Sequence, residues 1–236
     1  MMKRILLAAA LLLAGGLAFA AGPNTLSKEE QKAGWKLLWD GQSLDGWVSA
    51  VKDKNAADGW YVADGVLCTR KFEGDRKTVV DIRTAKKYTD FILTLQVKIT
   101  PGANSGVKYF IQDNMNVGCE FQVLDNELHP DGKKGVNGNR TFGSLYDLIP
   151  ADPEKVKYSI GEWNDVKIVV QGNHAEHWLN GVKVVDYYRH NQTFDALVQC
   201  SKFAKQKGFG KFDSGYILLQ NHQDEVFYRN IKIREL

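Results

Sequence analysis

The stretch Phe91-Ile-Leu-Thr-Leu-Gln-Val-Lys-Ile99 decides how this chain folds. Phe91, Leu93, Leu95, Val97 and Ile99 fall on one side of an extended backbone, and Thr94, Gln96 and Lys98 on the other, because successive side chains of a strand alternate. No helical period fits the run, so it reads as a half-buried strand. Similar runs occupy 60–69, 107–112, 119–124, 163–171, 175–187, 216–221 and 226–233. Asp64-Gly65 and Asn180-Gly181 interrupt two of them, and such pairs favour the positive φ of two-residue hairpins. Strands at this spacing predict an all-β protein, a two-sheet antiparallel β-sandwich or jelly roll. Segments 125–145 and 190–215 are rich in Gly, Asn, Lys and Asp and read as long loops, which in compact domains are often functional.

The first twenty residues, MMKRILLAAALLLAGGLAFA, have a basic start, an apolar run and an Ala18-Phe19-Ala20 ending. These are the marks of a secretory signal peptide, so the expected chain is exported, periplasmic or secreted. The apolar run is short for a membrane span of roughly 20 residues, and no membrane anchor is expected. Residues 21–33 read as a linker with a short helix in LSKEEQ, and 34–236 as a single domain. Of 236 residues, 31 are Lys or Arg and 28 Asp or Glu, which leaves no charge bias toward nucleic acid or anionic lipid. Cys68, Cys119 and Cys200 are an odd number, so at most one disulfide can form, and burial among apolar neighbours is the simpler role. Five tryptophans, Trp35, Trp39, Trp60, Trp163 and Trp178, are read as core, while Trp47 follows a turn and is left open.

Chemistry concentrates in Gly118-Cys-Glu-Phe-Gln-Val-Leu-Asp-Asn-Glu-Leu-His-Pro-Asp-Gly132. Alternation turns Cys119, Phe121 and Val123 toward the space between sheets and Glu120, Gln122 and Leu124 away from it. Asp125 and His129 join Glu120 only if the chain bends after Leu124. A solvated polar strand face is the bland reading; carboxylates and an amide that hold sugar hydroxyls or move protons are the sharper one. Gln220 and His222 share a face at the end of another strand, with Arg229 on the next. Lys108, in Asn104-Ser-Gly-Val-Lys-Tyr-Phe110, either reaches solvent or stabilises an oxyanion beside Glu120. Cysteine pairs at zinc spacing, a P-loop, G-x-S-x-G and H-E-x-x-H are absent. Glu120 and Asp125 leave room for a divalent cofactor without identifying one.

Taken in order, "WKLLWDGQSLDGW" (35–47), "NSGVKYF" (104–110), "CEFQVLDN" (119–126), "GSLYDLIPA" (143–151), "GEWNDVKIVVQGNHAEHWLNGVKVVDY" (161–187), "LLQNH" (218–222) and "FYRNIKIREL" (227–236) resemble the 3-keto-disaccharide hydrolase family. The resemblance implies a concanavalin A-like jelly roll that cleaves glycosides already oxidised at C3, a small-molecule carbohydrate substrate. It implies loss of the C2 proton and elimination of the C1 group, with or without addition of water. Glu120 is then the expected base, Lys108 the enolate stabiliser, and His129 or His222 the acid. Gln122, Asp125, Tyr146, Gln220 and Arg229 are expected to hold hydroxyls. Two other readings stay open. A direct sandwich glycoside hydrolase would use Glu120-x-Gln122-x-x-Asp125 on unoxidised glycans, and a carbohydrate-binding module would do no chemistry.

Overall fold

A computed structural model describes residues 22–71, 79–113 and 115–236, so residues 1–20 lie outside the described part. Its strands are β1 Lys36–Leu37, β2 Trp47–Ser49, β3 Trp60–Ala63, β4 Val66–Thr69, β5 Ile82–Thr84, β6 Phe91–Ile99 and β7 Asn104–Ile111. They continue with β8 Cys119–Leu124, β9 Asn164–Gln171, β10 His174–Leu179, β11 Val182–Tyr188, β12 Tyr216–Leu219 and β13 Val226–Glu235. The larger sheet runs β11-β10-β9-β6-β13-β4-β3, with β1 also on β13, and the smaller runs β2-β5-β12-β7-β8. Each described pairing is antiparallel. Among the described residues no helix is long and apolar enough to cross a membrane.

The alternation in β6 has the expected result. Phe91, Leu93, Leu95, Val97 and Ile99 are in the core, and the residues between them are half-buried on the outer face. Asn180-Gly181 joins β10 to β11 with positive φ at both positions, and Asp64-Gly65 does the same between β3 and β4. Cys68 and Cys119 are buried free thiols, whereas Cys200 is free and exposed.

Three readings need correction. The segment from Asn24 is tied into the sandwich: Asn24 and Asn230 exchange backbone-to-side-chain hydrogen bonds of 2.6 and 2.8 Å. The short helix expected in LSKEEQ is present as α1, Lys28–Lys32, closed by a Ser27/Glu30 capping box, and Lys232 bonds Glu30 at 2.7 Å. The 190–215 loop contains a second helix, α2 Gln192–Gln199, capped by Asn191 and seated through Phe194 and Val198. Of the tryptophans, Trp39, Trp47 and Trp60 are core. Trp35, Trp163 and Trp178 are instead half-buried, beneath Arg234, Arg229 and Lys167 respectively, with Trp163 and Trp178 on the outer face of the larger sheet. Alternation explains Trp178, since its neighbour His177 takes the inward position.

His177 is fully buried between the sheets. Its Nδ1–H donates to Gly143 O at 3.0 Å, so its Nε2 accepts from the Tyr109 hydroxyl at 2.8 Å, which in turn accepts from Tyr187 at 2.6 Å. Burial pushes the imidazole pKa down to about 4 from 6.5. Between those values the unfolded chain binds a proton that the folded chain refuses. The contribution is therefore complete above pH 6.5 and is lost as the pH falls toward 4. Urea melts at pH 7 and pH ~4.5 are expected to show wild type losing about 2 to 3 kcal/mol more than His177→Gln on acidification. Equal losses would show that another group governs acid stability.

Candidate active site

The outward face of the smaller sheet carries the site. In the β7–β8 ladder Lys108 is paired with Glu120 and Gly106 with Gln122. Leu218 of β12 lies beside Lys108, and Gln220 N donates to Gly106 O at 2.9 Å. Cross-strand neighbours on one face stand about 5 Å apart, so these side chains share one surface. Of these residues Lys108, Glu120, Gln122 and Gln220 line a cavity of about 230 Å³ with Asn104, Tyr146, Lys202 and His222.

Gly106 makes room for the acid. A Cβ built on it would stand 2.1 Å from Glu120 Oε1, so the carboxylate lies across the glycine backbone. Glu120 is only 6 % exposed. Burial raises its pKa above the ordinary carboxylate value, nearby Lys108 and Lys202 pull it down, and Asp81 and Asp131 push it up. Asp81, just before β5, is likewise raised by burial and opposed by Lys108. Gln122 donates to Asn104 Oδ1 at 3.3 Å, while its buried Oε1 has no hydrogen-bond partner. Such an acceptor facing a cavity suits a hydroxyl donor.

Two loops complete the wall. Residues 143–146 run along the free edge of β8: Gly143 N donates to Gln122 O at 2.9 Å and Tyr146 N to Glu120 O at 3.0 Å. The Tyr146 hydroxyl donates to Asp131 at 2.6 Å and accepts from Lys202 Nζ at 2.9 Å. Arg140 bonds both Asp131, at 3.0 Å, and Asp147, at 2.5 Å. Asp147 also accepts Lys202 N at 2.8 Å and so clasps one loop to the other. Burial would raise the Asp131 carboxyl, but its bonds from Tyr146 and Arg140 prevail and lower it.

Glu120, Lys108, Gln122, Tyr146, Gln220 and His222 are thus brought together. His129 packs edge-on to His222, ring centres 5.7 Å apart, but does not line the cavity. Asp125 does not reach Glu120, because its carboxylate accepts backbone N–H groups of Gly102, Glu127 and Leu128 at 2.8, 3.0 and 3.2 Å. Arg229 is on the other sheet: β13 leaves β12 for the larger layer, where Arg229 bonds Gln96 at 2.7 Å over Trp163. The sequence reading missed Asp81, Arg140 and Lys202. It missed Gly106 as well, although a glycine between alternating strand residues can mark close approach by another group.

Asp125 therefore does not join Glu120 in a cation site. His129, His222 and Asp224 bring potential ligand atoms within 4.8 Å, but Asp131 N donates to His129 Nδ1 at 3.1 Å. At His174, Glu176 and Asp186, Lys183 already supplies the positive charge, bonding both carboxylates at 3.0 and 2.5 Å. A cavity of about 360 Å³ on the larger sheet contains Gln96, Asp165 and Trp178. Its amide and carboxylate bond each other at 2.8 Å and Lys167 covers the indole, leaving it poorly suited to a ligand.

Residues 34–234 match the family described as a 3-keto-alpha-glucoside-1,2-lyase-like domain. A Bacteroides thetaiotaomicron protein named 3-keto-disaccharide hydrolase is 33% identical over 247 residues, covering 92% of this chain and 83% of the relative. A crystal structure from Parabacteroides distasonis, of a protein assigned as a glycosyl hydrolase, superposes with a TM-score of 0.80 at 27% identity, over 91% of this chain and 99% of that one. The carbohydrate binding module CBM66 from Bacillus subtilis shares the fold, with a TM-score of 0.52 at 12% identity, over 80% of this chain and 96% of the module. With the two-sheet jelly roll, these matches show that the chain belongs to the 3-keto-alpha-glucoside-1,2-lyase-like family.

Proposed function

We propose that the protein cleaves 3-keto-glucosides, including 3-keto-disaccharides, by removing the C2 proton and expelling the C1 group. One observation carries the reading: a buried carboxylate, Glu120, lies over Gly106 between two lysines in a cavity with an unpartnered amide oxygen. A ketone at C3 acidifies the C2–H bond, and Glu120 takes the proton. The electron pair passes into a C2–C3 enolate, whose oxygen the Lys108 ammonium stabilises. When C3=O reforms, the pair makes a C1–C2 double bond and the C1–O bond breaks, releasing the aglycone. Water added across the resulting enone would give net hydrolysis. Gln122, Gln220, His222 and Tyr146 surround the ring as hydroxyl partners.

The arrangement argues against a two-carboxylate hydrolase built on Glu120 and Asp125, since Asp125 serves as a backbone cap outside the cavity. A binding module has no need of a buried acid whose ionisation burial opposes. As the base must be ionised, kcat/KM is expected to rise with pH through a carboxyl pKa above the ordinary 4.5. Its neighbours set the balance: Lys108 and Lys202 draw this acid limb down, and Asp81 and Asp131 draw it up. An acid limb at or below the ordinary value would remove Glu120 from the base role.

Incubation with a 3-keto-glucoside, followed by mass and ultraviolet absorbance, is expected to give free aglycone and an absorbing enone or its hydrate. Turnover of the unoxidised glucoside alone would overturn the reading. Glu120→Gln is expected to lower kcat by about 10²–10⁴-fold, the usual worth of a general base. Gly106→Ala is expected to cost about 10²-fold by displacing the carboxylate, while the melting temperature stays near wild type because only a flexible side-chain end must move. Full activity of Gly106→Ala would show that the position over the glycine is irrelevant.

A further inference from the structure

We propose that Lys202 is the general acid that protonates the departing aglycone oxygen. The assignment rests on the C2-abstraction reading above. In a 3-keto sugar the acidic carbon lies between the ketone carbon and the anomeric carbon. A base at C2 therefore needs a cation on one flank, for the ketone oxygen, and a proton donor on the other. Lys108 is the partner of Glu120 on β7. From the opposite side, where residues 143–146 line the free edge of β8, come Tyr146 and Lys202.

Of these two, Tyr146 commits its single proton to Asp131 at 2.6 Å, and burial pushes its pKa far up. Lys202 has three protons and gives one to the Tyr146 oxygen, which leaves two for the cavity. Its backbone N–H bonds Asp147, so the stem starts from a fixed point. Burial also lowers its pKa below the ordinary 10.5, with Arg140 adding to the shift and Glu120 and the neighbouring aspartates opposing it. The residue lies at the exposed rim of the cavity, where solvent can replace the proton it loses. As C1–O breaks, the aglycone oxygen takes a proton from Nζ and leaves as an alcohol. Glu120 then holds the C2 proton and Lys202 is neutral; proton exchange with water resets both.

The test compares leaving groups. Lys202→Met, Lys202→Arg and His222→Gln are assayed on an alkyl 3-keto-glucoside and on 4-nitrophenyl 3-keto-glucoside, whose phenolate leaves without help. Circular dichroism and binding of an uncleavable 3-keto sugar show that each variant is folded. Lys202→Met is expected to lose about 10²–10⁴-fold in kcat on the alkyl substrate and far less on the nitrophenyl one. Lys202→Arg is expected to share the graded loss, because arginine keeps the charge but does not give up its proton. Equal losses on both substrates, rescue by arginine, or a graded loss in His222→Gln instead would overturn the assignment and leave the proposed reaction standing. No wild-type turnover of either keto substrate would overturn both.

Discussion

A carboxylate folded down over a glycine is the constraint on which the site depends. Removing an ion from water costs several kcal/mol after relaxation, and the cost is recovered only where charges and donors converge. Lys108 comes from the strand beside Glu120, which the ladder supplies directly. Lys202 comes from a distant loop, held because Asp147 accepts its backbone N–H and Tyr146 accepts its ammonium. Without the glycine the acid would stand away from the sheet, and without the loops it would face one cation. A wider strand residue at 106 and a shorter loop at 200–215 would undo the site in different ways.

What could be read along the chain was whatever repeats with a local period. The divided β8 was legible, with Cys119, Phe121 and Val123 in the core and Glu120 and Gln122 on the other face, because a half-buried strand obeys a period of two. Lys108 was left open between solvent and an oxyanion beside Glu120, because a period of two fixes a face and not the neighbouring strand; the β7–β8 register places it opposite Glu120. Arg229 was misread through an assumption of adjacency: β12 and β13 are consecutive, but they belong to different sheets. Asp125 failed at the bend after Leu124, where an aspartate finds three backbone donors sooner than it finds a substrate. Lys202 and Arg140 sit in irregular segments, where no period fixes direction. Their meaning comes from contacts such as Lys202 with Asp147, 55 positions apart. Helix α2 escaped because one turn of apolar spacing, Phe194 to Val198, is too little to stand out from a loop rich in polar residues.

The core and the site are not independent layers. His177 holds the carbonyl of Gly143 from inside the sandwich, while Gly143 N bonds Gln122 O on β8. Three residues later the same segment delivers Tyr146 beside Glu120. A buried neutral imidazole thus steadies the loop from which the outer wall is built. The Tyr109 hydroxyl, itself bonded by the Tyr187 hydroxyl, completes its partners and leaves it no reason to take up a proton at neutral pH.

Such an arrangement is expensive for a protein that only binds. A sugar can be held by amides, hydroxyls and aromatic faces, all of which survive burial without opposing their own charge state. Here burial raises Glu120 and Asp81 and lowers Lys202; Lys108 and Lys202 oppose the shift at Glu120, Lys108 opposes it at Asp81, and Glu120, Asp131 and Asp147 oppose it at Lys202. Stability is given up wherever ionisable groups are held away from their ordinary values, and sites of that kind accumulate where protons must move. Hydrogen bonds there fix a division of labour: Tyr146, locked to Asp131, orients, and Lys202, held through one proton with two to spare, can give one away.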